Sequence, residues 1–167
     1  MKIYELLNKA SLKLLKIHKN KDLSYKESET ILLSIICKSK EYLYQNLQKE
    51  INNKTALKFF KKIKKRTDGY PLQYLTNYEF FYGRKFIIKK GVFIPRPDTE
   101  TLIESVKKMA IKKPVDCIDI GSGSGCLGIT VKLEIPSIKN ITLIDKNKKA
   151  IYVTKENLKL YNLKGKI

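Results

Sequence analysis

The sequence predicts an α/β fold, in which a partial doubly wound parallel sheet follows a small all-helical domain and a β-hairpin linker. Three observations predict it. The first 70 residues carry apolar side chains at helical spacing. Aromatic and β-branched runs then flank a glycine at Gly83. From Val115 onward, strand and helix patterns alternate, which implies parallel strands joined by right-handed crossovers. The expected division is residues 1–70 as helical domain, 71–97 as linker and 98–167 as partial sheet domain.

Tyr4, Leu7, Leu14 and Ile17 recur near helical spacing and predict the first helix. Ser24 and Glu27 read as a capping box before a second helix carrying Ile31, Leu32, Ile35 and Ile36. A short helix is expected around Tyr42 to Leu47, and another from Thr55 to Lys65 with Leu57, Phe60 and Ile63 on one side. Asp68, Gly69 and Pro71 break the pattern. Tyr78 to Phe81 and Phe86 to Ile88 predict the hairpin. Pro95 and Pro97 stiffen the segment IPRPDTE, and Asp98 and Thr99 are candidate caps for a helix from Glu100 to Ala110. Val115 to Ile120 reads as a buried strand, followed by a glycine turn and a helix through Lys132. A second strand at Ile141 to Ile144 ends in Asp145, a helix runs from Lys148 to Tyr161, and Lys166 and Ile167 open a third strand. Only two strands are complete, so an open strand edge, an uncovered apolar face and marginal stability are expected.

Bulk properties narrow the function classes. No apolar run is long enough to cross a bilayer, and no secretory signal is read at the N-terminus. The three cysteines are odd in number and form no C-x-x-C pair, which argues against a disulfide framework or zinc site and fits a reducing, cytoplasmic setting. With His18 as the only histidine, a His-dependent triad and a multi-His metal site are excluded, and no metal is expected. Cys126, beside the glycine turn, reads as a packing residue. The net charge is +19, carried mostly by lysines spread along the whole chain. Weak, non-specific attraction to RNA follows, and two origins stay open: lysine drift at solvated positions, or a dedicated nucleic-acid site. A monomer is expected.

The segment Asp119-Ile120-Gly121-Ser122-Gly123-Ser124-Gly125 follows a strand and opens a helix. Glycines let backbone pass close to a ligand, and a helix start offers N–H groups to a carboxylate or phosphate. Asp145 closes the next strand, where an acid can accept hydrogen bonds from ribose hydroxyls. A literal G-x-G-x-x-G also runs through Gly123, Gly125 and Gly128, so a nicotinamide or flavin enzyme must be weighed. The turn begins earlier, at Gly121, and Asp119 precedes it. D-x-G-x-G-x-G is the commoner pattern for S-adenosylmethionine, which has no pyrophosphate.

Three stretches carry a resemblance. PLQYLTNYEFFYGRKFIIKKGVFIPRPDTETLIE, Pro71 to Glu104, resembles the linker of the glutamine N5-methyltransferases that modify peptide chain release factors, the HemK family. VDCIDIGSGSGCLGI, Val115 to Ile129, resembles their first cofactor motif, and LIDKN, Leu143 to Asn147, their second. The resemblance covers nearly the whole chain, and IPRPDTE is its most specific part. It implies a Rossmann-like class I methyltransferase domain and S-adenosyl-L-methionine as cofactor. It also implies that Gly121, Ser122, Gly123, Ser124 and Gly125 line the cofactor, that Asp145 binds its ribose, and that Asp119 helps orient it. Phe93, Arg96 and Pro97 lie in the segment that borders the pocket in the family. The implied partners are peptide chain release factors; a close relative acts on a ribosomal protein. The implied reaction is methylation of the glutamine amide in a Gly-Gly-Gln loop.

One family feature has no counterpart here. The family's acceptor motif is Asn-Pro-Pro-Tyr, and no Asn-Pro-Pro occurs in these 167 residues. A glutamine amide nitrogen is a poor nucleophile because its lone pair is delocalised, and that motif accepts the amide hydrogens and aims the nitrogen at the methyl group. The resemblance therefore assigns no catalytic residue, and little or no transfer is expected from a chain shortened before the motif. Two rival readings stand beside the enzyme: a non-catalytic fragment that docks on a release factor or ribosome, and an NAD(P)-dependent oxidoreductase fragment resting on Gly128.

Overall fold

The computed structural model describes residues 1–109 and 112–167. The chain divides into two compact units, Met1–Thr76 and Asn77–Ile167. The first unit holds α1 (Ile3–His18), α2 (Lys21–Ile36), α3 (Lys40–Gln45), α4 (Asn53–Thr67) and α5 (Leu72–Thr76). Its core follows from the periodicity except in α4, where Phe59 takes the place expected of Leu57, which is exposed. Leu6, Leu7, Ala10 and Leu14 of α1 meet Ile31 and Leu32 of α2, Leu43 of α3, Phe59 and Ile63 of α4 and Leu75 of α5, all buried. Each large side chain fully buried there contributes roughly 1.5–3 kcal/mol.

The expected capping box at Ser24 does not form. Asn20 caps α2 instead, its side chain accepting from the Leu23 N–H at 2.9 Å. Ser24 sits inside the helix and donates to the Asn20 carbonyl at 2.7 Å. Glu27 is buried and pairs with both His18 and Arg66. Tertiary partners thus recruited the side chain that the local pattern assigns to a cap, and His18 is largely covered beside it. The short helix α5 forms at Leu72–Thr76, where the sequence pattern shows no element of its own.

The second unit begins with the hairpin of β1 (Tyr78–Phe81) and β2 (Arg84–Ile87), paired antiparallel with Phe81 opposite Arg84. Tyr82 and Gly83 both take positive φ, 50° and 68°, the signature of a two-residue primed turn. A 3-10 turn at Pro97–Thr99 leads into α6 (Glu100–Lys108). The expected caps are absent: neither Asp98 nor Thr99 makes a side-chain cap bond. The turn itself supplies the geometry, and Glu100 reaches back to accept the Tyr82 N–H at 2.8 Å. The expected helix end at Ala110 lies outside the described residues.

Next come β3 (Val115–Ile120), α7 (Cys126–Glu134), β4 (Ile138–Ile144) and α8 (Lys148–Leu160). β3 and β4 pair in parallel, Cys117 opposite Ile141 and Ile120 opposite Ile144. Lys166 adds a parallel bridge to Thr142, as the expected opening of a third strand would. β3 departs from the buried strand expected of it. Asp116, Ile118 and Ile120 are exposed, the two isoleucines at 61% and 81%, while Val115, Cys117 and Asp119 are partly covered. Helix α7 packs against the covered side, where Gly128 abuts Asp119, and among the described residues nothing covers the other.

Candidate functional site

Asp119, Gly121 to Gly125 and Asp145 lie at the carboxyl ends of β3 and β4, with Phe93 beside Gly123. Gly121, Gly123 and Gly125 all take positive φ, at 80°, 59° and 77°, a conformation that disfavours any side chain with a Cβ. Their surroundings separate them. A Cβ on Gly121 would meet nothing within 4 Å, and one on Gly123 would meet only the Phe93 Cβ, at 3.9 Å. A Cβ on Gly125 would press on Thr154 at 3.0 Å. Gly128 lies inside α7, where a Cβ would stand 2.6 Å from Leu143 Cδ2 and 3.0 Å from Asp119 Oδ2. The first two glycines therefore border open space, and the last two permit close packing.

The turn's amides point inward. Gly121 and Ser122 both donate to the Ile144 carbonyl, at 2.7 and 3.0 Å, and Gly125 donates to the Ser122 carbonyl at 2.7 Å. Gly123 donates to Asp145 Oδ2 at 2.9 Å, and Gly128 to Asp119 Oδ2 at 3.0 Å. These engaged amides belong mostly to the turn before the helix; of the first three amides of α7, that of Gly128 has a protein acceptor, and those of Cys126 and Leu127 have no oxygen acceptor among the described residues.

Asp145 follows β4 directly. Its second oxygen accepts the Asn147 N–H at 2.8 Å. A carboxylate has about four lone-pair sites, so two remain to accept hydroxyls. Asp119 is half-buried on the α7 side of β3. Burial raises its carboxyl above the usual range, the Gly128 N–H opposes that rise, and the negative charge of Asp145 adds to it. Ser122 is buried, and its hydroxyl has no partner among the described residues. Burial pushes the Cys126 thiol up to about 11, as suits a packing residue and not a nucleophile.

Phe93 lies beside Gly123 with its side chain 66% exposed. Its loop is anchored on both sides: Val92 is buried with Ala150 and Val153 of α8, and Asn147 Nδ2 donates to the Gly91 carbonyl at 2.8 Å. Arg96 is exposed and has no ion pair among the described residues. Three residues escape the sequence reading. Asn147 caps α8 through the Lys149 N–H at 2.9 Å, and an Asn before a helix could have signalled it. Thr154 and Asn157, inside α8, bond the glycine turn and carry no local signal.

S-adenosylmethionine suits the residues present: two bare glycine faces, an orphaned buried hydroxyl and a carboxylate with free lone pairs lie at the carboxyl ends of β3 and β4, with an exposed aromatic ring beside Gly123. Among the described residues no group of His, Cys, Asp and Glu is placed to hold a metal ion.

Comparison with known proteins adds to this. Residues 84–167 match the family model described as the methyltransferase small domain, and residues 5–76 match the PrmC N-terminal domain. The release factor glutamine methyltransferase of Bacillus cereus is 33% identical over 163 residues, covering 95% of this chain and 56% of the relative. That of Aquifex aeolicus is 32% identical over 163 residues, covering 96% and 57%. That of Koribacter versatilis is 34% identical over 128 residues, covering 76% and 45%. The chain spans about half the length of the curated relatives it matches.

Proposed function

The chain belongs to the methyltransferase small domain family, its residues 5–76 match the PrmC N-terminal domain, and from that premise we propose that it supplies the S-adenosylmethionine-binding part of a release factor glutamine methyltransferase. The observation that carries the reading is the glycine turn at β3 with Asp145 at the end of β4. The bare faces of Gly121 and Gly123 would receive the methionine and ribose portions, and Asp145 would accept the ribose hydroxyls. Asp119, held off solvent, would fix the turn through Gly128 and contribute negative potential. Phe93 would wall the opening, and Arg96 would lie at its rim. When bound, the cofactor supplies a methyl group on a positively charged sulfur. The groups around the opening suit that charge, because Asp119 and Asp145 are acidic.

The inward amides weigh against the nicotinamide alternative. A pyrophosphate uses backbone N–H donors of the turn and the helix start, and those of Gly121, Ser122, Gly123, Gly125 and Gly128 already have protein acceptors, which leaves Cys126 and Leu127 at the helix start.

The acceptor of the methyl group in this proposal is the glutamine amide of a Gly-Gly-Gln loop in peptide chain release factors. Release factor and glutamine are supported by the names of the relatives and the match of residues 5–76, and the Gly-Gly-Gln loop by the resemblance of Pro71 to Glu104 to the family's linker. Aiming that amide is the task of the family's Asn-Pro-Pro-Tyr motif, which these 167 residues do not contain. The 167-residue chain is therefore proposed to bind cofactor and to transfer little or no methyl alone. Isothermal titration with S-adenosylhomocysteine tests the first part, with Asp145→Ala as the control that abolishes binding. Equal titration heats for both proteins, or tighter binding of NAD, would overturn it. A radiolabelled methyl assay on release factor tests the second, using the chain alone and the chain extended through an Asn-Pro-Pro-Tyr motif. Label on glutamine is expected only from the extended protein.

A further inference from the structure

We infer that Thr154 and Asn157, three residues apart on α8, are positioning residues that clamp the glycine turn to the hairpin, so that cofactor affinity depends on how the hairpin is seated. The inference rests on the glycine turn being the cofactor site. Asn157 is completely buried. Its Nδ2 donates to the Ser124 carbonyl at 2.9 Å and to the Ile87 carbonyl at 3.0 Å, and its Oδ1 accepts the Ile87 N–H at 2.8 Å. Both amide donors are used, and one side chain joins β2 to the turn. Thr154 is also buried; its hydroxyl donates to the Gly123 carbonyl at 3.1 Å, and its methyl packs where Gly125 lacks a side chain.

These bonds draw the Gly123 and Ser124 carbonyls toward α8. That leaves the bare faces of Gly121 and Gly123 toward the opening. A buried amide and hydroxyl are costly unless partnered, and apolar residues of similar size would fill the same space. What the polar pair adds is a fixed position for the turn. Both residues bond other elements besides their own helix, which a purely helical role would not require.

Two measurements on the 167-residue protein test the clamp. The first is S-adenosylhomocysteine affinity for Thr154→Val and Thr154→Ser. Valine removes one hydrogen bond at constant volume and leaves the Gly123 carbonyl without that partner, so Kd is expected to rise about five- to tenfold in a protein that melts somewhat lower but stays folded at the assay temperature. Serine keeps the hydroxyl and is expected to restore wild-type affinity. The second is amide hydrogen exchange in Asn157→Ala without ligand. Exchange is expected to quicken together at Ile87, Gly123 and Gly125, with β3 and β4 amides unaffected. Wild-type affinity in Thr154→Val, or faster exchange at Ile87 alone, would overturn the inference. If the wild-type chain binds no S-adenosylhomocysteine, the cofactor reading fails, and the exchange measurement still decides whether the clamp exists.

Discussion

Replacing Gly128 by alanine is expected to destabilise the Asn77–Ile167 unit by about 1–2 kcal/mol, although alanine is the better helix former. The two effects oppose each other. Glycine to alanine in a helix interior gains up to about 1 kcal/mol, and less in the first turn of α7, where Gly128 sits. Against this, the added methyl would stand 2.6 Å from Leu143 Cδ2 and about 3 Å from the Asp119 carboxylate. Leu143 is buried and cannot swing away, and overpacking of this kind typically costs about 1–3 kcal/mol. The methyl would also push Asp119 off the Gly128 N–H, its hydrogen-bond donor. For a unit of this size, 1 kcal/mol corresponds to about 4–8 °C in the melting temperature. Thermal melts followed by circular dichroism measure the shift, with the first unit resolved as a separate transition where the two do not melt together. Gly121→Ala is the matched control. Its methyl meets nothing, but its φ of 80° carries a backbone cost of roughly 1 kcal/mol, and it should also weaken cofactor binding. A Gly128→Ala protein that melts at or above the wild type would refute the close approach of α7 to β3 and β4.

Further outcomes follow from other parts of the molecule. Asp119 has a folded-state pKa raised by burial, so its stabilising contribution is complete below the ordinary value of 3.8 and is lost as pH rises through the folded value. Asp119→Asn removes that loss, so the melting-temperature difference in the variant's favour should widen from about pH 3 to about pH 7; a constant difference would contradict the assignment. Glu27→Ala leaves His18 and Arg66 without their shared buried carboxylate, and urea titration should show a loss of about 3 kcal/mol; a loss under ~0.5 kcal/mol would mean the network is incidental. Ile118 and Ile120 form an exposed apolar face on β3, so Ile118→Lys with Ile120→Lys should suppress light scattering at high protein concentration without lowering the melting temperature; unchanged scattering would place self-association elsewhere.

The parts of the molecule legible in the sequence are those fixed by local rules. Helices α1 to α4 of the first unit follow from apolar spacing, and the hairpin from aromatic runs around Gly83. The glycine turn, Asp119 and Asp145 stand where strand–turn–helix order puts them. What escaped depends on contacts distant in sequence. Glu27 sits in a local capping pattern, yet its partners are His18, nine residues back, and Arg66, thirty-nine residues ahead. Asn157 lies on a lysine-rich helix like any solvated polar residue, and only the fold brings it to Ile87 and Ser124. Asp98 and Thr99 have the right chemistry for caps, but Pro97 fixes a 3-10 turn there that leaves their side chains out of reach.

The glycines show why a motif read by spacing alone stays ambiguous. As letters, Gly121, Gly123, Gly125 and Gly128 satisfy both a nucleotide fingerprint and a methyl-donor pattern. Their surroundings divide them into two that border an opening and two that let elements touch. The direction of the amides then separates the ligands. A turn built for phosphate leaves its N–H groups free, whereas this one directs them into Ile144, Asp145 and Asp119. With five amides around the turn engaged and two carboxylates beside them, the glycine turn favours a cationic, hydroxyl-bearing ligand over an anionic one. Added inorganic pyrophosphate should therefore fail to compete with S-adenosylhomocysteine at this site, and competition at millimolar concentration would show that the amides open on binding.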